Sequence, residues 1–241
     1  MMTKTPKTRM LALACALALG SPGSAALAQA SESSSGASRS GSAASSAPED
    51  TMQQINNATR VVKRMETDPQ LKKMLHQAKG VFIVPQYARG GLTVGVRGGE
   101  GVLLVNNNGK WSNPAFYNFG GMSVGAQAGA EVGSIAMMLM NQKAVDNFMQ
   151  ENKFSLTADA GLTIVDYEAK AKATAGRGDI VVWSDTKGAF AGAVIGVTDI
   201  NFDNDENAAF YKSGVTAKDI VGGKVKNAQA KSLTQELSSG Q

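Results

Sequence analysis

Glycines four residues apart constrain this chain more than any other feature of it. Gly91, Gly95 and Gly99 are so spaced, as are Gly121, Gly125, Gly129 and Gly133, and the spacing returns at Gly188, Gly192 and Gly196. Four is an even number, so on a β-strand each set points to one face. A helix would also gather them into a stripe. Each glycine in a helix interior costs about 1 kcal/mol relative to alanine, however, and three or four per segment would melt it. The neighbours Val94, Val96, Val102, Val105, Val124 and Ile195 are β-branched and suit a pleated surface. The body of the chain is therefore read as three glycine-lined strands, with the stretch from Lys79 to Gly133 at its centre.

The first fifth of the 241 residues reads differently. Lys4, Lys7 and Arg9 precede an apolar run, Met10 to Gly20, and Ala26-Leu27-Ala28 supplies a small-x-small cleavage site. Those three parts make residues 1–28 a secretory signal peptide, too short for a membrane span. The expected location is outside the cytoplasm, periplasmic or envelope-associated. Leu13-Ala14-Cys15 partly resembles a lipoprotein box, which would make Cys15 a lipid anchor; otherwise the cysteine leaves with the signal. Losing three cations and no carboxylate takes the formal net charge from +4 to about +1. A nucleic-acid partner needs a strong basic footprint, and none is expected here. Cys15 is the one cysteine, so a chain without it has neither disulfides nor thiolate chemistry. Residues 29–50, rich in Ser, Ala and Gly, lack the apolar bulk to offset the entropy of ordering and are expected to form a flexible tether.

From Thr51 to His76 the pattern turns helical. Met52, Ile55, Thr59 and Val62 follow 3-4-3 spacing and make one apolar stripe. Asp68 caps a second helix with Pro69 in its first position, and Leu71, Met74 and Leu75 face inward. Arg60, Lys63 and Arg64 lie beside the first stripe, followed by Lys72, Lys73 and Lys79. Val81 to Val84 reads as a buried strand stopped by Pro85. Residues 92–97 and 101–105 read as strands around an Arg97-Gly98-Gly99 turn, and Asn106-Asn107-Asn108-Gly109 is a hairpin signal. Asn141 caps a short helix to Glu151. Phe154 to Tyr167 reads as strand, turn, strand, and Ile180–Trp183 pairs with Ala189–Phe202 across Asp185-Thr186-Lys187-Gly188. Asn204–Tyr211 is a short helix, and a longer one from Thr216 is interrupted at Gly222-Gly223. The order predicts α+β: one domain over residues 51–237, a curved antiparallel glycine-rich sheet or barrel packed by N-terminal, middle and C-terminal helices.

Groups able to do covalent or acid–base chemistry are few. His76 is the one histidine and sits on the second predicted helix; with no mature cysteine and no second histidine, Cys/His triads and histidine-rich zinc sites are excluded. The carboxylates Glu100, Glu131, Asp159, Asp166, Asp179 and Asp185 are dispersed, mostly beside Gly or Thr where Asp closes turns. The glycines around Gly98 match no nucleotide loop, and no calcium-loop spacing occurs. No metal or cofactor is expected, and no enzymatic activity. Trp111-Ser112-Asn113-Pro114-Ala115-Phe116-Tyr117-Asn118 groups three aromatics around a proline. It reads either as a loop folded over the core or as an aromatic surface of Trp111, Phe116 and Tyr117 for a ligand or membrane interface.

Several blocks resemble, in order, the SYLF domain: AKGVFIVPQYARGGLTVGVRGGEGVLLV, WSNPAFYNFGGMSVGAQAGAE, FSLTADAGLTIV and IVVWSDTKGAFAGAVIGV. The likeness spans about residues 50–237. This family of lipid-binding modules occurs in yeast actin-patch proteins, FYVE-containing proteins and exported bacterial proteins. The resemblance implies binding of phosphoinositide membranes through an amphipathic N-terminal helix. Carried to this chain, the lipid-contacting residues are Arg60, Lys63, Arg64, Lys72 and Lys73, with Met52, Ile55 and Val62 as the inserting apolar set. An exported chain meets neither actin nor phosphoinositides, so anionic phospholipid is the expected partner. The competing expectation is an envelope structural or interaction module that uses the Trp111–Tyr117 loop or a sheet edge.

Overall fold

A computed structural model describes residues 49–91, 94–124, 129–150, 154–156, 161–168, 178–185 and 199–239. Residues 1–28, read as a signal peptide, nearly all of residues 29–50, read as a tether, Gly125, Asp159 and the set Gly188, Gly192 and Gly196 lie outside the described residues. Two helices lead, α1 (Glu49–Glu66) and α2 (Pro69–Gln77). Then come β1 (Gly80–Gly91), β2 (Val94–Asn107), β3 (Lys110–Trp111), β4 (Ala115–Val124) and β5 (Gly129–Leu139). After α3 (Gln142–Phe148) follow β6 (Ile164–Asp166), β7 (Ile180–Ser184) and β8 (Asp199–Phe202). The chain finishes with α4 (Asn204–Phe210), α5 (Ala217–Val221), a 3₁₀ turn (Ala228–Ala230) and α6 (Lys231–Ser239).

The fold is α+β, as expected. One eight-stranded sheet runs β6-β7-β5-β1-β2-β4-β8, with β3 pairing β2, and no described pairing joins its ends. It is curved and open rather than a barrel. Among the described residues every strand pairing is antiparallel except β6 with β7. Strand alternation sends Phe82, Val84, Leu103, Tyr117, Ile135 and Met137 to one face, where α3 and α5 cover them. Val81, Ile83, Val102, Leu104, Phe116, Ala136 and Met138 go to the other, under α1, α2 and α6. The runs VFIV and VLLV are continuously apolar because both faces of the sheet are packed.

Local signals did much of what the sequence promised. Asp68 accepts hydrogen bonds from Gln70 N (2.8 Å) and Leu71 N (3.1 Å), so α2 starts at Pro69. Asn141 accepts from Ala144 N (3.0 Å) and starts α3. Asn108 and Gly109, at φ 54° and 89°, make the two-residue turn between β2 and β3.

Four expectations fail, each for a reason of pairing. Pro85 does not stop its strand. Between Ile83↔Val102 and Ala88↔Gly98, β1 runs four residues against three of β2, and between Val84↔Ile135 and Tyr87↔Gly133 it runs two against one. Both neighbours therefore register one extra residue at Pro85-Gln86, a β-bulge, which is where a central strand tolerates proline. Arg97-Gly98-Gly99 is no turn, because β2 passes through it in unbroken register with β4. The described parts of the supposed 180–202 hairpin stand apart: β7 pairs β5 and β6, while β8 pairs β4 at the far side of the sheet. Of the Phe154–Tyr167 hairpin, Phe154 instead bridges to Ile200, and β6 joins β7 in parallel.

Candidate functional site

The helical period sorts α1 cleanly. Gln54, Ile55, Ala58, Val61, Val62 and Met65 are buried, while Gln53, Asn56, Arg60, Lys63 and Arg64 face outward. Glu49 and Asp50 sit in its first turn and Lys63 and Arg64 in its last, each sign complementing the helix dipole. The cations border an open groove of about 500 Å³ lined by Asn57, Arg60, Lys63, Arg64, Pro85 and Gln86. The bulge residues of β1, Pro85 and Gln86, thus form the groove's other wall.

Each cation has a protein partner yet remains reachable. Arg60 donates to Asn57 Oδ1 one turn back. Lys63 Nζ lies 3.8 Å from Glu236 on α6, with 61% of its side chain exposed. Arg64 donates to Asp185 and, at 2.8 Å, to Ser134 Oγ on β5. Surface pairs of this kind contribute about 0–1 kcal/mol, so a competing anion meets little resistance. Lys72 (half-buried) and Lys73 (exposed) stand on α2, past the Asp68 turn, and do not line the groove.

Beyond Asn57 the trough continues into a second hollow of about 770 Å³ whose charged lining is Asp50 and Glu100. It also holds Val132, a large apolar side chain that is 74% exposed. At this end Glu206 of α4 meets α1. The Gln54 amide, oriented to satisfy both neighbours, donates to Glu206 Oε1 (2.7 Å) and accepts from Gly101 N–H (3.2 Å). Burial first, then the charges of Glu100 and Asp203 and more weakly Asp50, push the Glu206 carboxyl up to about 7 against the pull of a hydrogen bond from Thr51. A carboxyl whose proton is held more tightly in the folded state stabilises while protonated, and that stability is lost as pH rises from about 4.5 to about 7. Glu206→Gln keeps the acceptor and removes the charge. It is expected to raise stability at pH 8 by about 1–2 kcal/mol, discounted because the group is half-exposed, and to change little at pH 4. Denaturant midpoints at the two pH values check this.

Two sets of expected site residues are placed otherwise. Ile55 and Val62 are fully buried against the sheet, and of the three proposed inserting residues only Met52 keeps exposed surface. The aromatic surface does not exist: Trp111 is 5% exposed and Phe116 and Tyr117 are 0%. Phe116 and Tyr117 are consecutive on β4, so they point to opposite faces, and helices cover both. Phe116 stacks edge-on to Phe210 at 5.1 Å, and Tyr117 Oη donates to Phe148 O at 2.5 Å. The loop reading fails too: Trp111 ends β3 and packs in the α1-side core, Phe116 and Tyr117 belong to β4, and only residues 112–114 lie between the strands.

His76 Nε2 lies 4.0 Å from Glu66 Oε1 between α1 and α2, and burial, then Lys72, hold its pKa down. Asp166 accepts from Glu168 N (2.9 Å), the turn-closing work expected of it, whereas Asp179 accepts from Thr163 N (2.6 Å) and so ties together two segments distant in the chain. The Thr163 N–H bond first, then Asn141 and Lys143, keep the Asp179 carboxyl below its usual value. Glu131 is the register partner of Arg89 across β1 and β5. Among the described residues no set of three His, Cys, Asp or Glu side chains converges to hold a metal, and no helix is long and apolar enough to cross a membrane. Sequence reasoning missed Glu206, Ser134 and Gln86, which acquire their roles only through partners distant in the chain.

Comparison with known proteins now adds a second line. The family described as "Ysc84: Las17-binding protein actin regulator" matches residues 120–240, half of the chain. The match begins inside β4, so α1, α2 and the groove lie outside it. "SH3 domain-containing protein PJ696.02" of Schizosaccharomyces pombe is 33% identical over 160 residues, 63% of this chain and 36% of that one. "Protein YSC84" of Saccharomyces cerevisiae is 31% identical over 159 residues, 64% of this chain and 34% of that one. "SH3 domain-containing YSC84-like protein 1" of Bos taurus is 27% identical over 174 residues, 69% of this chain and 50% of that one. The chain thus spans about a third to a half of the length of these curated relatives. No solved structure matches it. A family match over half of the chain is enough to place it: the chain belongs to the Ysc84, or SYLF, family.

Proposed function

We propose that this chain is an exported, non-enzymatic module that binds anionic phospholipid surfaces through the basic ridge of a docked α1. The observation that carries the reading is the placement of Arg60, Lys63 and Arg64 along one open groove, on the face of α1 that packing leaves free. The acidic lining of the neighbouring hollow repels an anionic surface, so the charge asymmetry also sets the orientation: the C-terminal half of α1 approaches the bilayer.

Magnitudes favour docking over release. A helix that left the sheet could bury Ile55, Val61, Val62 and Met65 again in lipid, but Val81, Ile83, Val102, Leu104, Ala136 and Met138 would be left open to water. Exposing such side chains costs about 1.5–3 kcal/mol each. Each Lys or Arg at an anionic surface returns only about 1 kcal/mol. Three to five cations therefore give binding of roughly millimolar to submillimolar strength, and they cannot open the core. The inserting role of Ile55 and Val62 is dropped from the proposal; Lys72, Lys73 and Met52 remain as flanking contacts. An actin partner, which the family's description names, is not proposed, because residues 1–28 read as an export signal.

Vesicle co-sedimentation tests the reading. Retention on phosphatidylglycerol vesicles at low salt, absent on phosphatidylcholine and falling steeply between about 50 and 300 mM salt as screening shortens, is the expected result. Equal retention on both vesicle types sinks it.

A further inference from the structure

The side chain that neutralises Arg64 comes from 121 residues away and sits where an anion would bind. Asp185, the residue after β7, offers one carboxylate oxygen to the Arg64 guanidinium and the other to the backbone N–H of Ser134 at 2.6 Å. Arg64 also donates to Ser134 Oγ at 2.8 Å, and that hydroxyl donates to the Pro85 carbonyl of the bulge at 2.9 Å. A guanidinium and a main-chain N–H converging on one oxyanion is the donor set that phosphate oxygens use. The carboxylate is 22% exposed and the Arg64 side chain 50%, so the seat opens to solvent beside Arg60 and Lys63. The Asp185 N–H is held separately, donating to Ser134 O at 3.3 Å, so the carboxylate can turn away while the backbone stays.

We infer that this is an anion seat filled by the chain's own carboxylate: Asp185 occupies it in solution, and a phosphate group displaces Asp185 from Arg64 and Ser134. The inference rests on the lipid-binding reading and adds its regulation. Around the groove the cations Arg60, Lys63 and Arg64 are opposed by Asp185 and Glu236, a surplus of one positive charge. Withdrawal of Asp185 doubles that surplus only when a phosphate is present to take its place, so an anionic surface strengthens the site that binds it. Apart from that surface, Asp185 lowers the attraction of the groove for stray anions.

Asp185→Asn keeps the size and one acceptor but cannot hold the ion pair. Its retention on phosphatidylglycerol vesicles should be about fivefold tighter than wild type, the worth of one uncompensated charge, with no gain on phosphatidylcholine. Adding Arg64→Ala should cancel the gain. In the unsubstituted protein, the Ser134 amide resonance should move when phosphatidylglycerol bicelles are added. A like shift with inorganic phosphate at matched ionic strength would make free phosphate sufficient, and a shift with bicelles alone would make the headgroup the ligand; either satisfies the seat. Wild-type retention with no gain in Asp185→Asn overturns the seat and leaves the lipid reading standing. Retention by neither protein overturns both. A stationary Ser134 amide overturns the seat even where Asp185→Asn fails to fold.

Discussion

The triple variant Arg60→Glu, Lys63→Glu, Arg64→Glu is expected to lose retention on phosphatidylglycerol vesicles, by at least about a hundredfold in apparent affinity. Three attractions of about 1 kcal/mol each disappear, which alone is a factor near a hundred, and three repulsions replace them. The three side chains face outward and none belongs to the core, so the fold should survive. Arg64→Glu would set a new carboxylate against Asp185, however. A companion variant with Arg64→Gln separates this local repulsion from the loss of binding. Melting temperatures within a few degrees of wild type, together with lost vesicle retention, are the expected pair of results. Retention unchanged in a folded triple variant would remove α1 as the binding element.

The cations of α1 were legible in the sequence because a helix brings i, i+3 and i+4 together without outside help. Their opponents were not. Asp185 and Glu236 reach Arg64 and Lys63 from β7 and α6, and nothing local to either carboxylate marks it for that role. Asp185 sat in a turn signal, Asp-Thr-Lys-Gly, that fully accounted for it. The same holds for Glu206: three other carboxylates surround it, contributed by α1, β2 and its own helix cap, and only the folded chain assembles them. The aromatic cluster failed in the opposite direction. Trp111, Phe116 and Tyr117 are close in sequence and were read as close in space, but β4 alternates the last two onto opposite faces of a doubly covered sheet.

Fold class and caps came through because they rest on short-range chemistry, the Asp68, Asn141 and Asn108-Gly109 signals among them. What was lost is the meaning of a residue whose role is set across a ladder. Pro85 is a strand breaker when read alone, yet two neighbouring strands both absorb it by slipping one residue. Glycines four apart define a face of the sheet without saying what packs on it. In the structure α1 lies on the opposite, aliphatic face, and the described glycines Gly99 and Gly101 face the side chains of Val84 and Phe82 on the adjacent strand.

That last point carries the largest stability effect expected of a single methyl group. A Cβ placed on Gly101 would lie within van der Waals overlap of Phe82 Cζ and Cε2, and 3.2 Å from the Ile83 carbonyl. The ring cannot step aside. It is fully buried, with Phe148 at 5.0 Å, Tyr117 at 6.0 Å and Phe119 at 6.3 Å between centroids, and Tyr117 is itself pinned by its bond to Phe148 O. Gly101→Ala should therefore cost about 2–3 kcal/mol, the range for overfilling a packed core, and lower the melting temperature by roughly 5–10 °C for a chain of this size. Gly99→Ala should behave alike, since its Cβ would strike the Gln86 carbonyl of the bulge and lie 2.8 Å from Val84 Cγ1. The decisive measurement is a double-mutant cycle. If glycine is present at 101 to seat the Phe82 ring, then Phe82→Leu, harmful alone, should recover part of the loss when combined with Gly101→Ala. Additive losses would show that the glycine answers to something other than the ring, and the reading of the glycine face would go with it.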